Sequence, residues 1–140
     1  MSAASNYLET QLFNLIFRGT AFTPPAKTWI ALHTSDPTET GASGEVPTAT
    51  WPSYVRQDAA KGGLQADAWT VPSDGTGKNA LQLLYAMYDG VAPLTVTHFS
   101  VWDAVTAGNM LVYAPLASAR TINNGDVFVV DAQKLTGQVL

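Results

Sequence analysis

The stretch THFSVWDAVTAGNMLVYAPL, residues 97–116, has the pattern of two β-strands joined by a turn. Its first half alternates two sets of side chains, which places the sets on opposite faces of a strand. The sets are Thr97, Phe99 and Val101 on one face and His98, Ser100 and Trp102 on the other. Gly108 and Asn109 tolerate the positive φ angles of a tight turn. The stretch therefore predicts an antiparallel β-hairpin.

Further strand-like segments lie on both sides of this hairpin, separated by turns rich in Gly, Pro and Asn. They are residues 27–33, 54–58, 68–72, 80–88, 127–131 and 134–140. In the segment 80–88 we place Leu81, Leu83, Tyr85 and Met87 on one face. About eight short strands favour a sandwich or barrel over a parallel α/β sheet. The predicted fold is a mainly β, single-domain antiparallel β-sandwich of about eight strands with one N-terminal α-helix, spanning residues 1–140.

The helix is predicted at about residues 5–18. Ser5 is a suitable N-cap, apolar residues follow at helical spacing, and Gly19 suits the C-terminal end. Phe13 and Phe17 widen the apolar face, so two interpretations stay open. The helix either packs against its own sheet or binds a partner. A long exposed loop is predicted at about residues 34–53, where Pro, Gly, Ser and Thr are frequent.

The composition favours a protein that is covered by neighbours in an assembly. Hydrophobic residues make up 46% of the chain, whereas only 13% are charged, about half the usual ~25%. The alternative is a surface coated with Ser, Thr and Asn. The seven Lys and Arg residues are scattered and the net charge is −4, which argues against direct nucleic-acid binding.

No apolar run approaches the ~20 residues that a membrane helix needs, so we expect no membrane partner. The start MSAASNYLE lacks the pattern of a secretion signal, so synthesis in a cytosol is expected. The absence of cysteine excludes disulfides and thiolate chemistry.

The sequence predicts no enzyme, no cofactor and no metal site. The two histidines, His33 and His98, are interpreted as partly buried residues with satisfied hydrogen bonds. Asp36, Glu39 and Glu45 share one loop and are a weaker candidate for a hard cation, since their spacing matches no recognised calcium loop. No nucleophile motif or phosphate-binding loop is present.

Four tryptophans allow a sugar-binding hypothesis, because aromatic faces stack on sugar rings. Three of them fall in predicted strands and are expected in the core or at an interface. Trp51 stands beside a proline in the loop and is predicted to be the best exposed aromatic side chain. Trp is common at interaction hot spots. The candidate protein-interface residues are Tyr7, Phe13, Phe17, Trp51 and Tyr54.

Three segments carry a resemblance to a known family. Residues 5–41 contain Asn-Tyr-Leu-Glu, then Phe-Arg-Gly, then WIALHTSDP; residues 97–116 form the hairpin; and TINNGDVFVVDAQKLTGQVL closes the chain at residues 121–140. Together they resemble small bacteriophage virion proteins of the tail-fibre-like or minor structural type. The family usually has Gly at the position of Ser100 and Gly-Gly at positions 107–108. The resemblance weakens between residues 62 and 93.

The resemblance implies a virion structural protein made in the host cytoplasm, and similar sandwiches serve as capsid cement or as tail components. We expect a capsid cement (decoration) protein that binds the major capsid protein and bridges capsid subunits, with repeated contacts adding strength. The N-terminal segment and the loop 34–53 would contact the capsid, and a homotrimer is expected by family analogy. The alternative is a tail or tail-fibre protein that binds tail proteins or the host. A glycan-binding module or an enzyme is the weaker alternative.

Overall fold

A computed structural model describes residues 2–139 of the chain. Met1 and Leu140, the two ends of the predicted domain, lie outside the described residues. One α-helix and nine strands are assigned within residues 2–139: β1 (Ala3–Ala4), α1 (Asn6–Phe17), β2 (Trp29–His33), β3 (Gln57–Asp58), β4 (Thr76–Lys78), β5 (Leu83–Leu84), β6 (Leu94–Trp102), β7 (Met110–Ile122), β8 (Val129–Val130) and β9 (Thr136–Gln138).

The strands form one five-stranded sheet in the order β1-β7-β6-β2-β3 and two two-stranded ladders, β4-β9 and β5-β8. All pairings are antiparallel. The β5-β8 ladder packs over the inner face of the sheet, where Leu83 and Val130 join Ile30 in one buried cluster. The Tyr85 hydroxyl also donates a hydrogen bond to the Ile30 carbonyl at 2.9 Å. The predicted mainly β, antiparallel sandwich with one N-terminal helix is confirmed.

The predicted hairpin is the centre of the sheet. Strands β6 and β7 pair along most of their length, with register shifts between Val96 and His98 and between Val101 and Trp102. At the first shift, a step of two residues on β6 faces a step of five residues on β7. Val96 and Phe99, on either side of it, both join the core cluster although they are three residues apart. The predicted alternation holds from His98 to Trp102, whereas Thr97 lies at the register shift and is only half-buried.

Several predicted strands are shorter than expected in the described part of the chain, including 127–131 and 134–140, which contain only Val129–Val130 and Thr136–Gln138. The strand at 54–58 contains only Gln57–Asp58, and the segment 68–72 contributes one isolated bridge, between Trp69 and Asn79. In the segment 80–88 only Leu83–Leu84 is strand. Leu83 and Tyr85 are buried, but Met87 is 59% exposed, so placing it with them was wrong. The strand that pairs with β5, namely β8, has only two residues. The short β8 limits the length of the β5-β8 ladder.

Residues 34–53 form no named helix or strand, and Glu45 makes one bridge, to His33. The loop is less exposed than predicted because part of it lies over the outer face of the sheet. The backbone of Gly41 passes so close that a Cβ atom there would lie 3.1 Å from both Trp102 and Met110. Its φ of 68° also favours glycine. Loop and sheet are therefore packed together.

Candidate protein-interaction surface

Helix α1 begins and ends close to the predicted positions. The Ser5 hydroxyl accepts a hydrogen bond from the Leu8 amide at 3.2 Å, which is the expected N-cap contact. The same hydroxyl donates to the Met110 carbonyl of β7. At the other end the amides of Arg18 and Thr20 both donate to the Asn14 carbonyl, and Gly19 has a φ of 66°. Capping thus ties the helix start to the sheet.

The helix has two apolar faces. Leu8 is buried and Leu12 packs against the core. At 3.6 residues per turn, Phe13 lies about 140° and Phe17 about 180° around the axis from Leu8. Their side chains are 58% and 72% exposed, and Ile16 is 68% exposed. The helix therefore packs against its own sheet through Leu8 and Leu12, while Phe13, Ile16 and Phe17 are uncovered; binding of a partner by the helix stays a prediction.

Phe13, Ile16 and Phe17 are called the helix patch below. The two phenylalanine rings contact each other, with 4.8 Å between their centroids. Two of the predicted interface residues, Phe13 and Phe17, lie in this patch, whereas Tyr7 is half-buried and packs against the core. The patch is an uncovered apolar surface of the kind that marks an interaction site.

Trp51 and Tyr54 lie elsewhere. Trp51 is 0% exposed and Tyr54 is 7% exposed, so the prediction that Trp51 is an exposed aromatic side chain was wrong. A turn explains the difference, since the Trp51 amide donates to the Pro47 carbonyl at 3.0 Å and the loop bends inward there. The indole packs edge-on against Tyr88, with 5.4 Å between ring centroids.

This aromatic cluster is part of the core. The Tyr54 hydroxyl accepts a hydrogen bond from the Leu32 amide at 2.9 Å. Burial raises the pKa of Tyr54 and that of Tyr85 above the usual tyrosine range. The Trp51 indole nitrogen is buried and has no hydrogen-bond partner among residues 2–139. We conclude that these residues stabilise the loop rather than contact a partner surface.

A buried ion pair joins the loop to the turn of the hairpin. Arg56 is 6% exposed and donates to both Glu45 oxygens, at 2.8 and 2.7 Å. It also donates to the carbonyls of Ala104 and Ala107, and its guanidinium lies 3.9 Å from the Trp102 ring centroid. No pattern in the sequence pointed to this pair, because its members are single charges 11 residues apart.

His33 and Ser100 form a hydrogen-bonded pair on the same outer face. The His33 Nε2 atom lies 2.6 Å from the Ser100 Oγ atom, and Nδ1 lies 3.1 Å from the Ser43 carbonyl. A carbonyl only accepts, so Nδ1 carries the proton and the Ser100 hydroxyl donates to Nε2. The Trp102 indole donates to the same hydroxyl at 2.6 Å.

This pair has the spacing of a nucleophile and its base, but both side chains are 0% exposed. Burial lowers the pKa of His33 to about 4, which suits a neutral structural histidine. The prediction of a buried, satisfied histidine is confirmed at His33. The pair fastens the loop, through Ser43, to the sheet.

The loop carboxylates do not converge on one point. Glu45 is held by Arg56, while Asp36 accepts a hydrogen bond from the Thr38 amide at 2.8 Å within its own turn. Among residues 2–139 there is no group of three or more potential metal ligands. Within the same range, α1 has 12 residues and no helix is long and apolar enough to span a membrane.

Residues 3–138 match a protein-family model described as Podophage GP4 fiber I protein gp80. The chain belongs to this family. Membership confirms the predicted resemblance to small bacteriophage virion proteins of the fibre-like type. No curated protein matches the chain.

This member of the fiber I family has a second uncovered apolar surface, which we call the apolar groove. It has a volume of about 310 Å³, and Trp69 lines it together with Pro72, Val139, Gly75, Gly77 and Gly137. The Trp69 indole donates to the Thr28 hydroxyl at 3.0 Å, which fixes the ring. Sequence reasoning missed this groove. Glycines inside strand segments, Gly77 and Gly137, were the available signal.

Proposed function

We propose that this protein is a structural subunit of a phage fibre that is held in the virion by contacts with neighbouring proteins through the helix patch. The supporting observation is the exposure of Phe13, Ile16 and Phe17 on a helix that is anchored to the sheet through Leu8 and Leu12. Exposed aromatic residues on a well-capped helix lose little conformational freedom on binding, which favours affinity.

The family description supports a fibre over a capsid cement protein. Cement remains the second candidate, because a low content of charged residues suits a subunit covered by repeated neighbours. In either role we propose that the protein works by binding and not by catalysis. The tail proteins, or alternatively the major capsid protein, are the proposed partners.

Copy number and position in the virion distinguish the two roles. Quantitative mass spectrometry of purified particles, with the major capsid protein as standard, should give far fewer copies than capsid subunits. Antibody labelling in electron micrographs should mark one end of the particle. Copies that approach the number of capsid subunits, distributed over the head, would overturn the fibre role and favour cement.

The role of the helix patch is tested by incorporation into particles. Phe17→Asp places a charge in the patch without touching the core, and we expect the amount of incorporated protein to fall at least about tenfold, the size expected for a hot-spot residue. Val91→Asp is the matched control, since Val91 is fully exposed in a turn away from α1. Equal incorporation of both variants would exclude the patch.

A further inference from the structure

We propose that the helix patch of one copy binds the apolar groove of a second copy. The inference deepens the proposed function and rests on it, because it names the partner of the patch. It is also supported by the chemistry of the two surfaces, which lie at different positions on the same chain.

The two surfaces cannot meet within one molecule. Leu8 of α1 lines the inner wall of the groove, and Phe17 lies nine residues further along the helix, about 13 Å away along its axis. Phe17 also points to the opposite side of the helix from Leu8. The patch of one copy therefore needs the groove of another copy.

The two surfaces match in apolar character. The groove is lined almost entirely by apolar groups, with an aromatic wall at Trp69 and an open floor at Gly77 and Gly137. These two glycines are directly paired across the β4-β9 ladder. Because neither glycine has a side chain, the groove has room for an aromatic ring beside the Trp69 indole. Pairing of the two aromatic rings adds to the free energy gained from burial.

The charges beside the two surfaces are also complementary. Arg18 directly follows the patch, and Asp74 lies in the turn between Pro72 and Gly75 at the rim of the groove. The ion pairs within residues 2–139 are Lys27–Asp58 and Arg56–Glu45, so neither Arg18 nor Asp74 is paired with an opposite charge among these residues. Lys78 alternates with Gly77 along β4 and is directed to the other face.

A contact between two different surfaces of identical chains has a structural consequence. It closes into a ring if the rotation between copies allows, and otherwise it continues as a filament. The expected homotrimer is one such ring. In both cases every copy uses one patch and one groove.

The test uses two variants of the full chain in sedimentation velocity over a wide concentration range. The wild type should self-associate. Phe17→Asp, which alters only the patch, and Gly137→Val, which fills only the groove, should each weaken association at least about tenfold. A Cβ at Gly137 would lie 3.6 Å from Trp69 and 3.9 Å from both the Gly77 carbonyl and Val112, which are ordinary contact distances.

Mixing the two variants gives the decisive measurement. The Gly137→Val protein keeps its patch and the Phe17→Asp protein keeps its groove, so the mixture should form one-to-one pairs that do not grow further. Val91→Asp should associate like the wild type. If circular dichroism shows that Gly137→Val is unfolded, Gly77→Val at the facing position replaces it.

Three results would overturn the inference: a wild type that stays monomeric, a filled groove that leaves association unchanged, or a mixture that stays monomeric. These measurements use the isolated protein, so they are separate from the virion test. A monomeric chain that occurs in few copies at one end of the particle would overturn this contact and leave the fibre role standing. A chain that self-associates and is distributed over the head would overturn the fibre role and leave this contact standing.

Discussion

Phe13 and Phe17 on the one hand and Trp51 on the other are all aromatic residues, but they differ in their exposure to solvent. Phe13 and Phe17 lie on a helix and are uncovered, with 58% and 72% of their side chains exposed. Trp51 lies in a loop rich in Pro, Ser and Thr, and it is 0% exposed. The usual expectation, that helix apolar residues are covered and loop residues are exposed, is reversed here.

The burial of a residue therefore depends on which other segments of the chain pack over it. Helix α1 packs against β1 and β7 at the edge of the sheet, and this contact leaves Phe13, Ile16 and Phe17 uncovered. Trp51 is surrounded by three tyrosines, Tyr54, Tyr85 and Tyr88, from two separate segments. The loop is therefore a part of the core, and the helix offers the free surface.

The strongest test of this difference is Trp51→Ala. Removing a fully buried indole should lower the free energy of unfolding by about 3–5 kcal/mol, through lost burial and the cavity that remains. Urea unfolding followed by circular dichroism measures this change. Loss of particle binding by this variant would then follow from unfolding. A change below about 1 kcal/mol would mean that Trp51 is not a core residue.

The next test concerns the attachment of the loop through His33. Its pKa is about 4 in the folded protein and ~6.5 in an unfolded chain, so the unfolded state binds more protons between these values. The stabilising effect is complete above pH ~6.5 and is lost as the pH falls toward ~4, by roughly 3 kcal/mol in total. Urea unfolding at several pH values measures the slope.

His33→Gln provides the comparison for that slope, because glutamine does not titrate. The variant should be less stable than the wild type at neutral pH, and the difference between the two proteins should shrink toward pH ~4. A difference that is the same at every pH would contradict the buried, neutral histidine.

The smallest effect on stability is expected at the helix patch. Phe17→Ser removes a side chain that is 72% exposed, so the free energy of unfolding should change by no more than about 0.5 kcal/mol. The same urea experiment measures it, and the Trp51→Ala result is the reference. A loss of several kcal/mol would show that Phe17 supports its own fold and would remove the contrast between the two regions.

Much of the fold was accessible from sequence because its signals are local. The N-cap Ser5, the Gly19 helix end and the alternation within residues 98–102 each concern neighbours within a few positions. The predicted strand at 80–88 failed because its length depends on β8, a partner more than 40 residues away along the chain. Of the candidate interface residues, only Phe13 and Phe17 remain exposed on the surface, since helical periodicity separates two faces but does not say which is covered.

The mainly β class, the N-terminal helix, the central hairpin and the family follow from the amino-acid sequence alone, because they depend on local periodicity, turn chemistry and ordered motifs. The folded chain was needed to show that Trp51 is internal, that Arg56 and Glu45 form an ion pair, and that a groove opens beside Trp69. Each of these features depends on which distant segments come into contact. That contact determines how much surface is buried, and the residue type alone does not.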